Sequence, residues 1–347
     1  MASQWQRACS GSLWFVLLMA LQARICGTTK GTEKAHSRMA WLPRLTRAQM
    51  RIVQLAVSFG LLFILFHAVD GAEAMRILRR ADLGLLAVAW LVMGLQTVLS
   101  AVRWKLIAFK LGQRFTWKTA VSEYYLSQFI NQSLPGGMIG DAGRAYRARH
   151  HAGLVKAGQA VFFERAAQQA GIFFFFLAAF IITTILPGGL SWPLWLNSIV
   201  TPAVLISLGL PVVFWLGWQL PGPQKRALDS MWQAVIASML KGKALPVQVV
   251  LSLLTALCNI GAFYLCALAT GTDLPMAATF GLVPLILFMM LVPVTVSGWG
   301  VREGVAAALF PITGATASAG LAASIAFGLV FLAAVLPGVI AILKRKH

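Results

Sequence analysis

The sequence predicts an all-α polytopic membrane protein, with about six full transmembrane helices and two re-entrant hairpins arranged as an inverted repeat. Of its 347 residues, 59% are hydrophobic and 11% are charged, whereas a soluble domain carries about 25% charged residues. The mean hydropathy is +0.78. Six apolar segments also reach the roughly 20 helical residues that cross a ~30 Å hydrocarbon core. Lipid is therefore the main solvent of the chain.

The first fifty residues differ from the rest and form a predicted basic segment, 1–50. Its apolar run, 13–21, is nine residues long, which is too short to span a bilayer. Seven Lys and Arg residues follow between Arg24 and Arg51, and such a basic stretch resists export. We interpret the segment as cytoplasmic. A signal peptide, an interfacial helix and a mis-assigned start codon stay open for it.

The predicted transmembrane domain covers residues 51–345, with halves at about 51–184 and 198–343. Its predicted spans, in chain order, are 51–68, 84–108, 157–184, 198–219, 245–270 and 318–343. The formal net charge of +19 comes from 29 Lys and Arg against 10 Asp and Glu. Because these basic residues lie between apolar runs and no nucleic-acid-binding module is present, they indicate cytoplasmic loops rather than a nucleic-acid partner. We expect a bacterial inner-membrane protein with both termini in the cytoplasm.

Two further segments, 119–140 and 277–311, fit neither a full span nor a loop. The first begins and ends among cytoplasmic charges, and its ascending limb, TAVSEYYLSQFINQS, is too polar and too short to span. The second must begin and end outside, because the fifth span exits there and the sixth starts there. Both are predicted re-entrant hairpins, and they enter the membrane from opposite faces.

The hairpins contain related motifs, LPGGMIGDAGRA at 134–145 and VPVTVSGWGVRE at 292–303. An offset of 158 residues superposes three identical residues: Pro135 on Pro293, Gly140 on Gly298 and Arg144 on Arg302. Each half then contains two spans, a hairpin and a span, in opposite orientation. Inverted repeats with broken helices are a recurrent transporter architecture, and their substrate site lies where the repeats meet.

The first motif combines a helix breaker with residues that permit turns and close approach: Pro135, Gly136, Gly137 and Gly140. A helix restarting near Asp141 would direct amide groups into a cavity, and Arg144 would add a full positive charge. An anionic headgroup would be stabilised there. The alternative is a structural turn, in which Asp141 caps the helix and pairs with Arg144.

The second motif supplies hydroxyls, freed amides and a charge pair after Pro293, in the residues Thr295, Ser297, Gly298, Gly300, Arg302 and Glu303. Hydroxyl and amide donors suit an oxyanion. The alternative is a tight membrane turn in which Arg302 and Glu303 neutralise each other. Charges inside the hydrocarbon are costly, so a functional role is favoured.

The third span contains a polar stripe around Glu164 and Arg165, with Gln168 on the face of Glu164. Lipid exposure would be costly, so this stripe should face the bundle interior. Its partner is Arg103 or Arg144, held statically or exchanged during transport. We place Arg103, Asn131, Glu164 and Arg165 with the motif residues in a substrate site, and assign Glu123 and Gln168 to gating or charge balance.

The sequence contains no GxSxG, Walker or HExxH motif, and its four cysteines form no CxxC. We therefore expect no metal, no cofactor and no catalytic residue. Three stretches nevertheless resemble the lysylphosphatidylglycerol synthase transmembrane-region family, also described as flippase-like: LPGGxxGDAxRAY at 134–146, FFERAAQQAG at 162–171 and VPVTVSGWGVREG at 292–304. The arginine in SAVRWKLIAFKLG at 100–112 resembles a fourth feature of that family.

This resemblance implies lipid handling, because some members flip aminoacylated phosphatidylglycerol and others accompany hopanoid or lipid-linked glycan pathways. The aminoacyl-transferase domain of bifunctional members is absent, so synthase activity is not implied. Gln168 and Gln169 stand where the family often has a second acidic residue. We expect a flippase for an anionic, aminoacylated or glycan-linked lipid. A membrane enzyme acting on lipid phosphates or polyprenyl carriers, an accessory subunit of a lipid-modifying enzyme, and a homo-oligomer stay open.

Overall fold

The structure is a computed structural model that describes residues 47–134, 138–185, 192–218, 223–242, 244–291, 295 and 297–343. Its α-helices are α1 (Arg47–Ala68), α2 (Gly71–Arg79), α3 (Leu83–Lys110), α4 (Trp117–Ser133), α5 (Ile139–Ala152), α6 (Leu154–Ile185), α7 (Leu194–Trp218), α8 (Pro223–Val235), α9 (Ala244–Ala269), α10 (Met276–Phe288), α11 (Val301–Leu309), α12 (Ala317–Val335) and α13 (Pro337–Leu343). No strand occurs in the ranges described. The predicted basic segment lies almost wholly outside them, so its boundary stays a prediction.

Among the described residues, four helical runs are long and apolar enough to cross a membrane: α3, α6, α9 and Ala317–Ile340. They coincide with the predicted second, third, fifth and sixth spans, which confirms a polytopic helical membrane protein. A fifth span arises if α1 and α2 count as one, since Leu55–Ala68 and Gly71–Arg79 meet at a bend of 95°. In α7, Leu194–Leu205 is a shorter apolar helix. The count of six stays a prediction.

The second predicted hairpin, 277–311, consists of two helices separated by a break, whereas the first, 119–140, covers α4 but only the start of the helix after the break, which runs on to Ala152. We call these pairs the first broken segment (α4 and α5) and the second broken segment (α10 and α11). In the first, helix ends at Ser133 and restarts at Ile139; in the second, it ends at Phe288, followed by one short 3-10 turn, and restarts at Val301. Proline forces such breaks because it lacks an amide hydrogen and clashes with the preceding turn. Pro135, Gly136, Gly137 and Pro293 lie outside the described residues. The re-entrant paths remain predictions.

The helices α2 and α8 were not anticipated. Asp70 begins α2 by accepting a hydrogen bond from the amide of Glu73 at 3.0 Å, and Glu73 forms an ion pair with Arg76. Asp82 begins α3 by accepting from the amide of Gly84 at 2.7 Å. Two of the acidic residues between α1 and α3 are therefore helix caps.

The packing of the long helices is reciprocal between the halves. The helices α3 and α9, which match the second predicted span of each half, pack on each other. The helix α6 packs on α9, and α12 packs on α3. A glycine allows a close contact in each half. A Cβ at Gly171 of α6 would lie 2.4 Å from the carbonyl oxygen of Ser252, and one at Gly320 of α12 would lie 2.4 Å from that of Ala306. The first contact joins α6 to α9, and the second joins α12 to α11 of the second predicted hairpin.

Candidate functional site

The candidate site is a network of charged side chains that we call the first arginine centre: Arg103, Asp141, Arg144, Glu164 and Arg165. Asp141 receives hydrogen bonds from two arginines, Arg144 Nη2 at 3.0 Å and Arg165 Nε at 2.8 Å. Two neutral side chains of α4 complete its shell, Ser127 and Asn131, both at 3.0 Å. This carboxylate therefore joins α4, α5 and α6.

Glu164 is the second carboxylate of the centre and also binds two arginines. Its Oε1 accepts from Arg103 Nη2 at 2.8 Å and from the Tyr124 hydroxyl at 3.0 Å, while Oε2 accepts from Arg144 Nη2 at 3.1 Å. Arg103 also donates to Thr255 Oγ1 at 2.8 Å. The network thus reaches from the first broken segment to α9, in the other half of the chain. Glu164 pairs with both arginines that the sequence offered as alternatives.

Gly140 allows α5 to begin where it does. A Cβ at this position would lie 2.0 Å from the carbonyl oxygen of Ser127, so only glycine lets the two limbs approach this closely. The Gly140 amide donates to Asn131 Oδ1 at 2.8 Å. Asp141 pairs with Arg144, as the structural-turn interpretation expects, but the side chain that binds the Gly140 amide belongs to Asn131.

The centre is buried and carries a surplus positive charge. Arg103, Arg144 and Glu164 are 0% exposed and Asp141 is 3% exposed, whereas the Arg165 side chain is 24% exposed. Three guanidinium groups face two carboxylates, which leaves a net charge of about +1. Burial of an uncompensated charge is costly unless another group neutralises it.

Arg144 is the least completely paired member of the centre. Its guanidinium carbon lies 4.6 Å from the ring centroid of Trp104 and 4.4 Å from that of Tyr124, so two aromatic faces stabilise the cation. Within the described part of the chain, Arg144 Nε and Nη1 are buried and have no hydrogen-bond acceptor. Arg144 therefore has two donor atoms that are available to a further acceptor.

Of the two residues assigned to gating, Gln168 contacts the first arginine centre, whereas Glu123 pairs with Arg147 outside it. Gln168 accepts from Arg165 Nη1 at 3.3 Å. Glu123 forms an ion pair with Arg147 at 2.5 Å. Gln128 accepts from Arg165 Nη2 at 2.9 Å, which ties α6 to α4.

Sequence reasoning missed Tyr124, Ser127, Arg147 and Thr255. The α4 residues could have been found, because 124, 127, 128 and 131 recur at the three- and four-residue spacing of one helix face. Thr255 gave no such signal, because a single threonine in an apolar helix usually bonds to its own backbone. Thr255 does so here as well, donating to Leu251 O at 2.8 Å.

The second motif forms a smaller cluster that we call the second arginine centre: Arg302, Glu303 and Ser324. Arg302 binds Glu303 Oε1 through Nη2 at 2.5 Å, and binds Ser324 through its hydroxyl and its carbonyl, both at 3.0 Å. Arg302 Nη1 lies 3.9 Å from Met290 Sδ. Arg302 and Glu303 are both 0% exposed. This centre is neutral, as the self-neutralising interpretation expects.

The backbone before α11 is irregular. Gly298 has φ +82° and Gly300 has φ +91°, conformations that favour glycine. The Gly300 amide donates to Glu303 Oε2 at 2.7 Å, so Glu303 caps its own helix. Thr295 Oγ1 is buried and finds no partner among the residues described.

One hydrogen bond connects the two broken segments at their tips. The Ser297 hydroxyl donates to Gln132 Oε1 at 2.5 Å, and both side chains are buried. Ser297 has φ +50°, which is uncommon for a residue with a side chain. The charged residues of the predicted substrate site thus fall into two clusters, and this hydrogen bond links the two broken segments.

The chain is a helical multi-pass membrane protein with a buried ionic network. Charged residues inside a membrane protein usually have a functional role. The chain belongs to the family described as the lysylphosphatidylglycerol synthase TM region, whose family model matches residues 51–338. This membership was predicted from the motifs and is confirmed. It relates the protein to lipid modification or transport. No curated protein matches the chain.

Proposed function

We propose that this protein is a lipid translocase that moves an anionic, aminoacylated or glycan-linked headgroup across the bacterial inner membrane, without modifying it. The observation that carries this proposal is the first arginine centre, which places five charged side chains among the helices of a membrane protein. A charge at mid-membrane costs roughly 2.5–3.5 kcal/mol on insertion scales, and such residues usually mark a substrate or ion pathway.

The pairing pattern supports exchange of one arginine. Each carboxylate has a second arginine besides Arg144: Arg165 for Asp141 and Arg103 for Glu164. When Arg144 turns to a headgroup phosphate, both carboxylates therefore remain paired. Arg144 can bind and release an anion without exposing an unpaired buried carboxylate, which would cost several kcal/mol.

The architecture that we propose around this step has six spans and two re-entrant hairpins that enter from opposite faces. The reciprocal packing of α3, α6, α9 and α12 supports an inverted repeat. The basic loops support cytoplasmic termini. The headgroup would pass along the polar faces of the broken segments, while the acyl chains stay in lipid.

The test is headgroup translocation by the full-length protein in reconstituted vesicles, with acyl-labelled fluorescent phosphatidylglycerol and a membrane-impermeant quencher. Arg144→Gln should slow translocation about 10- to 100-fold, the equivalent of losing one hydrogen bond to a charged group. Arg149→Gln is the matched control, because Arg149 lies on α5 but bonds only to its neighbour Tyr146 within the described contacts. A rate no higher than that of protein-free vesicles would refute the translocase function, and equal rates for wild type and Arg144→Gln would refute the assignment of headgroup binding to Arg144.

A further inference from the structure

A small cavity adjoins the first arginine centre where α3, α4 and α5 meet. Its wall includes Trp104, Phe115, Glu123, Arg144, Arg147 and His151. Arg144 forms the buried end, and His151, at the other end, is exposed. The cavity therefore connects the buried guanidinium with the surface.

Three of the residues that line this cavity carry hydrogen-bond donors that have no acceptor among the described residues. Across the described ranges, buried atoms without a partner include Arg144 Nε and Nη1, Arg147 Nη2 and Trp104 Nε1. A buried polar group left unsatisfied costs about 1–3 kcal/mol. Four such donor atoms on three residues of one cavity indicate a ligand with several acceptor atoms.

The charge of the surroundings indicates one negative charge on that ligand. Arg147 and Glu123 neutralise each other at 2.5 Å, so adding them to the first arginine centre leaves its surplus at about +1. A monoanion would balance this surplus. A dianion would overcompensate the positive surplus, and a neutral group would leave the surplus uncompensated.

The volume of the cavity sets the size of the bound group. About 40 Å³ is open to the centres of water-sized groups, and one water needs roughly 10–15 Å³ on that measure. The cavity thus holds about three such groups, so it admits the two free oxygens of a phosphodiester but not a whole headgroup. The stacked rings of Trp104 and Phe115, 4.8 Å apart, form an apolar wall.

We propose that this cavity binds the singly charged phosphodiester group of a membrane lipid, held by Arg144, Arg147 and Trp104. The inference deepens the proposed function, on which it rests, because it gives the headgroup phosphate a binding position. Arg147 and the Trp104 indole are positions that the motifs did not indicate.

The test is binding to the purified full-length protein in detergent, measured by isothermal titration calorimetry. The probe is dihexanoyl phosphatidylglycerol, compared with dihexanoylglycerol, which lacks the phosphate, and with inorganic phosphate. We expect the phosphodiester to bind and dihexanoylglycerol not to bind. Arg147→Gln should weaken binding about tenfold or more, and Trp104→Phe, which keeps an aromatic ring but removes one donor, about 2- to 10-fold.

Arg149→Gln is the control, because it removes the same charge from the same helix outside the cavity. Binding that is unchanged in both Arg147→Gln and Trp104→Phe would overturn the proposal. So would binding of inorganic phosphate alone, since that result indicates a free-phosphate site. Vesicle translocation separates the two claims: binding without translocation refutes the transport function and leaves the site, whereas translocation without binding refutes the site alone.

Discussion

The two arginine centres arise from motifs related by an offset of 158 residues, yet they differ in what surrounds the arginine. Arg144 shares two carboxylates with two other arginines, and two of its donor atoms have no acceptor among the described residues. Arg302 is bound by the adjacent Glu303 and by Ser324 of the following long helix. At the corresponding place, α6 supplies Glu164. Glu164 on the helix after Arg144 therefore distinguishes the two centres. In the first centre the arginine can exchange partners, whereas in the second it stays paired with Glu303.

The two motifs share a local arrangement in the described residues and differ in the contacts of their arginines. In each half a break is followed by a short helix with a buried arginine. We accordingly assign headgroup binding to the first arginine centre and a structural role to the second, which narrows the expectation that both arginines bind the headgroup.

The largest effect on stability should follow from removing Arg302. Arg302→Gln leaves Glu303 buried without its cation and should lower the free energy of unfolding by about 3–5 kcal/mol, the usual cost of breaking a buried ion pair. Denaturant unfolding in mild detergent would measure it. The double variant Arg302→Met with Glu303→Gln removes both charges and should recover most of the loss. An unchanged free energy of unfolding in Arg302→Gln would contradict a buried ion pair between Arg302 and Glu303.

Removing Arg144 should cost less stability. Arg144→Gln leaves Asp141 with Arg165 and Glu164 with Arg103, so we expect a loss of about 1.5–3 kcal/mol, the range of one hydrogen bond to a charged group. The same denaturant unfolding would compare it with Arg302→Gln. A larger loss at Arg144 than at Arg302 would reverse the distinction between the two centres.

Gly140→Ala should damage the first arginine centre without changing any charge. The added methyl would lie 2.0 Å from Ser127 O, so the limbs must separate, at a cost of about 1–3 kcal/mol. Gly158→Ala in α6 is the control, because a Cβ there has no atom within 4 Å and alanine favours helix by roughly 1 kcal/mol. The midpoint temperature of thermal unfolding should be higher than that of wild type for Gly158→Ala and lower for Gly140→Ala.

The smallest effect concerns the contact between the broken segments. A double-mutant cycle of Gln132→Ala and Ser297→Ala should give a coupling of about 0.5–1.5 kcal/mol, the worth of one hydrogen bond. Denaturant unfolding of the four proteins would measure it. Additive effects would show that the tips of the segments do not stabilise each other.

The sequence predicted the helical membrane class, four of the spans, both helix breaks and the family, because these depend on hydropathy and proline, which act locally. It also indicated most charged residues of the first arginine centre, since a charge in an apolar helix is conspicuous. It could not predict that Arg144 shares its carboxylates while Arg302 does not, because this depends on which side chains α3, α6 and α12 bring together. Thr255 could not be predicted for the same reason. The helix α2, in contrast, has a local signal that was missed, because Asp70 caps it three positions before Glu73.

The most direct test of the account compares translocation by two variants in reconstituted vesicles, with rates expressed per folded protein. Arg302→Met with Glu303→Gln should translocate within roughly twofold of wild type, because a neutral pair replaces a neutral pair. Arg144→Gln should be about 10- to 100-fold slower. The reverse order, or equal loss in both variants, would contradict the assignment of headgroup binding to the first arginine centre.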